Sequence, residues 1–164
     1  MARMSDEPLA AALMGNIRGC AKEAMAALGP SYAGADAPTI VEGIDAFAVR
    51  WQQGERPSKK LVHDLEHGRL IFGSLWGEQL CRQFGWEWAQ VDFGDGSSAF
   101  GVVSPDRSMA IYPLDFMLAC LENPDMDVTV ALSFNMLVEG TIPAMPRLSY
   151  TDIMDGVQRI VPRE

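Results

Sequence analysis

The sequence predicts an α+β fold: a small antiparallel three-stranded meander packed against several helices, with a long central glycine-containing helix. Three observations predict it. Apolar residues recur at helical spacing through most of the first 84 residues. The period then changes, and "WEWAQVDF", "SAFGVV" and "SMAIY" are separated by the turn-forming stretches "GDGS" and "SPDR". Pro113 and Gly140 then bracket a second helical region. Strands and helices segregated along a chain in this way read as α+β rather than as alternating βα units. The expected organisation is one domain over 1–164, with helices over about 6–84, a sheet over about 86–112 and C-terminal helices over about 113–160.

Each element has its own signal. Ala10, Leu13, Met14, Ile17, Ala21, Ala24, Met25 and Leu28 form one apolar stripe. This predicts a helix over 6–28, capped by Ser5 and stopped by Gly29-Pro30. Thr39 and Glu42 have capping-box spacing ahead of Ile40, Ile44, Phe47, Ala48 and Trp51, so a second helix is expected to run to about Gly54. The longest helix is expected over about 59–84 with Ser58 as its cap. Gly68, Gly73 and Gly77 lie within it, each costing about 1 kcal/mol of helix propensity relative to Ala. Such a cost is usually offset by close backbone approach, so this face should be covered within the monomer or by a second copy in a homodimer. The strands follow at 86–93, 98–103 and 108–112, and "PLDFMLACLEN" opens a helix on Pro113. Residues 128–138 read as a helix capped by Asp127, with enough Val and Thr to leave a strand open. Ser149 and Asp152 open a last helix to about Ile160.

The formal net charge is −9 in 164 residues. Phosphate binding needs a basic face, so nucleic acid is excluded as a general partner. A basic protein is the complementary partner, because opposite charge speeds encounter. Cys20, Cys81 and Cys120 are odd in number and form no C-x-x-C, as expected of reduced thiols in a cytoplasmic protein. No secretion signal is read at the N-terminus, where Asp6 and Glu7 stand in place of basic residues. No apolar run approaches the length of a membrane span.

"HDLEH" at 63–67 has the H-x-x-E-H order of inverted zinc proteases. His63 and His67 would be two metal ligands and Glu66 the general base of a metal-dependent hydrolase. These are the only two histidines, so a third ligand would have to be a carboxylate such as Glu122 or Glu139. At 100° per residue, Leu61, Leu65, Phe72 and Trp76 share one sector of the helix, and His63 and His67 fall on the opposite one with Ser74 and Glu78. The pair is therefore expected to face water, with no metal and no cofactor bound. "DFG" at 92–94 lacks every companion motif of a kinase, and "DFGDGSS" lacks the ligand order of a calcium loop. Trp86 and Trp88 lie two apart on a strand and share a face, which packs on the long helix or forms an aromatic binding platform. A small-molecule sensor with these tryptophans in its pocket follows from the second option.

Gly73, Gly77, Glu78 and Leu80, followed by Gly85, Trp86 and Trp88 and then Tyr112-Pro113, resemble the pattern of a bacterial family of uncharacterised domains. The similarity spans about residues 68–123, and its motifs are structural. It implies no activity. In general type the chain also resembles bacterial immunity proteins, which neutralise a toxin by binding it. The expected function is accordingly non-enzymatic binding of a basic protein, such as a toxin domain, through acidic turns at Asp92 and Asp95, at Asp106, and at Asp125 and Asp127, with Trp86 and Trp88 as candidate contacts.

Overall fold

The computed structural model describes residues 3–160. It is a mixed α+β structure with six α-helices and a five-stranded sheet among the described residues. In chain order the elements are β1 (Ser5–Pro8), α1 (Ala11–Leu28), α2 (Ala37–Gln52), α3 (Leu65–Phe84), β2 (Glu87–Asp92), β3 (Ser98–Val103), β4 (Met109–Ile111), α4 (Pro113–Glu122), α5 (Val130–Glu139), β5 (Thr151–Asp152) and α6 (Ile153–Ile160). The strands lie in the order β1-β2-β3-β4-β5, antiparallel except for the parallel pair β4–β5.

The expected meander is present as β2, β3 and β4, and two short edge strands extend it to five. Residues 5–8 pair with β2 instead of starting the first helix. Pro8 confines Glu7 to extended backbone, and the Asp6 carboxylate, rather than facing a helix N-terminus, is held by Arg107 and Tyr150. Ser5 is therefore a strand residue, and α1 begins at Ala11 with no side-chain cap. At the other edge, Thr151 and Asp152 pair with Met109 and Ala110. The Asp152 carboxylate still accepts the backbone N–H groups of Met154 and Asp155, so it caps α6 as expected from one residue outside it.

Other helix starts also move. Asp36, not Thr39, caps α2, accepting the Thr39 N–H at 3.0 Å. α3 starts at Leu65 on Asp64, which accepts the His67 N–H at 2.8 Å. Ser58 closes only the single turn to Leu61 and Val62. The stretch left open between helix and strand is helix from Val130 to Glu139, starting two residues later than expected, and Asp127 does not cap it. Asp45 on α2 instead accepts the Ala131 N–H at 2.9 Å, a cap supplied from 86 residues away in sequence.

α3 is the central helix and packs on α1, α2, α4 and the sheet. Its glycines permit this. A Cβ at Gly77 would lie 2.0 Å from the Trp88 indole, and one at Gly73 would lie 3.0 Å from the Leu114 backbone. The glycine-bearing face is thus covered within the chain. Phe72, Trp76, Leu80, Ile44, Ile111, Met117 and Phe134 are fully buried in the main core. Among the described residues no helix is long and apolar enough to cross a membrane.

Candidate functional site

Opposed residues in a sheet share a face, so the register sorts the strands. Trp88, Val102 and Ile111 face the helices and join the main core. Ala89, Val91, Val103 and Ala110 face the other way and form a second cluster with Tyr112 and Tyr150. Two side chains close that second face. Tyr150, which precedes the β5 edge, reaches Asp6 on the β1 edge with its hydroxyl. Arg107, in the β3–β4 turn, bonds both oxygens of Asp6 at 3.1 Å. Burial would raise the Asp6 pKa, but the hydrogen bonds from Arg107 and Tyr150, with the guanidinium charge, hold it below the usual carboxylate value. The Tyr150 phenol is pushed up to about 12, first by burial and then by its bond to Asp6.

The chain bends sharply to make this arrangement. Arg107, Leu148 and Tyr150 have φ of 57°, 64° and 46°, the left-handed region that side chains seldom adopt. Each such residue costs on the order of 1–3 kcal/mol unless its surroundings hold it. Here the backbones of Leu148, Tyr150 and Thr151 donate to the carbonyls of Asp106, Arg107 and Ser108, which zips the segment before β5 onto the β3–β4 turn.

Beyond the end of the closed region a cleft of about 540 Å³ opens between the second sheet face, near the β2–β3 turn, and helices α4 and α6. Phe93, Tyr112, Phe116 and Tyr150 supply aromatic surface to it, and Asp115 and Asp152 supply carboxylates. None of its 11 lining residues is Lys, Arg or His. Phe93 and Tyr112 meet at 5.6 Å between ring centroids, tilted by 58°. Phe116 anchors the wall to the core through an edge contact with Trp76 at 5.6 Å. The Tyr112 hydroxyl is buried and has no hydrogen-bond partner among the described residues. Its pKa is raised first by burial and then by the nearby charges of Asp152, Tyr150 and Asp115.

The two carboxylates differ. Asp152 Oδ1 takes the α6 N–H groups, and Oδ2 has no protein partner among the described residues. Desolvation nevertheless raises its pKa, outweighing those bonds. Asp152 is exposed at the cleft surface, where water screens its charge. Asp115 is exposed and lies 3.9 Å from Arg69, a loose pair at the rim. The result is an aromatic recess with negative charge at its edge and an unsatisfied hydroxyl at its wall. Buried polar groups rarely lack a partner, and an exception marks strain, an unseen water or ion, or a functional role.

The residues singled out from sequence lie elsewhere and at separate places. Asp92 ends β2 and Asp95 sits in the β2–β3 turn, and each accepts a backbone N–H two residues on, from Gly94 and Ser97. Asp106 does the same for Ser108 in the β3–β4 turn, at the other end of the strands. Asp125 and Asp127 lie in the connection between α4 and α5. Trp86 and Trp88 are 6% and 5% exposed and pack in the main core, with Trp88 Nε1 donating to Glu78 at 3.3 Å. Their remaining surface borders a separate recess of about 310 Å³ that also holds Glu78, Glu87 and Arg18.

His63 and His67 do not share a helix, since His63 precedes the Asp64 cap. Their rings stack at 4.2 Å. The His63 N–H donates to His67 Nδ1 at 3.1 Å, and His63 Nδ1 lies 2.7 Å from the Lys59 carbonyl, to which it donates. His67 Nε2 faces Glu23 at 3.4 Å, and Glu66 is turned to Arg69. Leu61 is 41% exposed because the helix starts six residues later than a Ser58 cap implies, and Ser74, expected on the same watery face, is buried because α3 is covered by α1 as well as by α2, α4 and the sheet. Among the described residues no group of three or more His, Cys, Asp or Glu is placed to hold a metal ion.

Sequence reasoning missed the cleft because its walls come from four separate stretches of chain. Within one of them, Tyr112, Asp115 and Phe116 are spaced so that a strand end and the first turn of α4 present them together. No family model matches the chain, and no curated protein and no solved structure was found to be similar to it.

Proposed function

We propose that this chain is a non-enzymatic, cytoplasmic binding protein whose partner is a basic protein, and that the aromatic–acidic cleft is its principal contact. An immunity or antitoxin role against a basic toxin is the concrete form of this reading. The observation that carries it is the cleft itself: four aromatic residues, two carboxylates and no basic residue among the 11 that line it. Binding sites combine apolar surface with a few placed polar groups, and the sign of those groups selects the partner. The net charge of −9 supports the same choice at longer range. The three free cysteines fit a reducing compartment.

The test is affinity capture of the tagged protein from its own cells, followed by binding kinetics with the purified partner. A single stoichiometric basic protein is expected, with an association rate that falls as salt is raised. Charge reversal at Asp115 should slow association more than reversal at Asp106, which lies at the other end of the strands. An acidic or neutral partner, or a salt-independent rate, would contradict the reading.

A second reading, a small-molecule sensor, draws on the recess beside Trp86 and Trp88. Its test is a ligand panel read by tryptophan fluorescence, and no change in emission with any ligand would remove it.

A further inference from the structure

We infer that the cleft receives an arginine side chain of the partner, with the guanidinium between the aromatic walls and the carboxylates. This rests on the basic-partner reading and names what that partner must present. The argument begins with what the cleft lacks. Tyr112 lines it and is 9% exposed, yet its hydroxyl has no hydrogen-bond partner among the described residues. Asp152 Oδ2 has no protein partner among them either. Asp115 has only a guanidinium at 3.9 Å. A wall hydroxyl without a partner and two water-exposed carboxylates at one recess favour a ligand with several donors and positive charge.

The walls narrow the choice further. A cation is attracted to the faces of aromatic rings, and Phe93, Tyr112, Phe116 and Tyr150 surround the space. Guanidinium is planar, stacks on aromatic rings and carries five donors in a fixed fork, whereas ammonium is a compact and strongly hydrated point charge. Only the former can stack on a ring while it bonds separated carboxylates in one plane. The methylene stem would lie against Met4, Ala119 and Met154, which complete the apolar part of the lining. A positive charge beside Asp152 would also offset the desolvation that raises its pKa.

The experiment is a titration of the ¹⁵N-labelled full chain, read by amide chemical shifts. The probes are N-acetyl-arginine amide, the neutral isostere N-acetyl-citrulline amide, and an arginine-rich peptide. The arginine amide and the peptide should shift Ala99, Phe116, Ala119 and Met154, with the arginine amide binding roughly tenfold tighter than the citrulline amide. Asp115→Asn and Asp152→Asn should each weaken the arginine amide by roughly three- to tenfold. Asn at 152 keeps an oxygen that can cap α6, and Asp115→Asn stands independently if the first variant fails to fold. Equal binding of the two amides, or shifts that avoid the cleft, would overturn the inference. So would an arginine amide that enters the cleft while the peptide does not, since that describes a free small cation. If the peptide shifts only other surfaces, the basic-partner reading stands and the cleft assignment falls. If it shifts none, both fall.

Discussion

On the helical side of the sheet, Trp88, Val102 and Ile111 close against α3 in one continuous apolar core. On the other side, small residues such as Ala89 and Ala110 are covered by Tyr112 and Tyr150, and the cover is pinned by Asp6 and Arg107. The first side is held by area removed from water, which is non-directional and tolerant of detail. The second is held by a few directional bonds between residues more than 100 positions apart, with three residues in the left-handed region to make the turn. Where directional contacts replace packing, space is left over, and that space is the cleft. The side built for stability and the side available for binding are thus two faces of the same strands.

The comparison can be broken most forcefully from the core side. Trp76 is fully buried, and Trp76→Ala should destabilise by about 3–5 kcal/mol in urea denaturation. Gly77→Ala tests the close approach of α3 to the sheet. Its Cβ would overlap the Trp88 ring, and overpacking of this kind costs about 1–3 kcal/mol. A neutral result would mean that the helix and strand can separate freely.

On the polar side, Asp6→Ala should cost about 1–3 kcal/mol, because it strands the Arg107 guanidinium and the Tyr150 hydroxyl. Hydrogen exchange should quicken in β1 and around Tyr150 while α3 stays protected. Equal loss of protection in α3 would show that the two faces are one cooperative unit.

Acid sharpens the same division. The Asp6 pKa is lowered in the folded chain, so its contribution is present above the unfolded value of about 3.9 and is lost as pH falls through the folded value. Asp45 and Asp152 have the opposite sign: both are raised by burial, so their ionisation opposes folding at neutral pH, and that cost is relieved as pH falls through their raised values. Stability should therefore hold or rise as the medium becomes mildly acidic and then drop below about pH 4. Asp6→Asn should flatten that final drop in denaturation midpoints measured against pH, and an unchanged acid limb would assign it to another group. The smallest effect is expected at the histidine stack. His63 is exposed, so His63→Ala should change stability by about 0.5 kcal/mol or less.

The division between faces also explains what could be read from the sequence. β3 falls at 98–103 and α4 opens on Pro113 as expected, and α5 ends on Gly140, because flanking turn residues, a proline at the first helical position and a C-terminal glycine are all local signals. β1 and β5 were illegible. Each is four residues or fewer and is a strand only because a distant partner exists. The start of α3 was misplaced because Ser58 and Asp64 are both competent caps, and local chemistry does not rank them. The acidic turn residues were legible as turns, and their own backbone bonds account for their presence there. The cleft requires Phe93, Tyr112, Phe116, Tyr150, Asp115 and Asp152 together, and neither spacing nor composition connects residue 93 to residue 152.

The most direct measurement is hydrogen–deuterium exchange on the complex with the captured basic partner. Protection is expected over 93–99, 112–119 and 150–154, the segments that meet at the cleft, with α3 unchanged. Protection confined to the His63–His67 end, or to the α4–α5 connection, with the cleft segments exchanging as in the free protein, would contradict the assignment of binding to the second face.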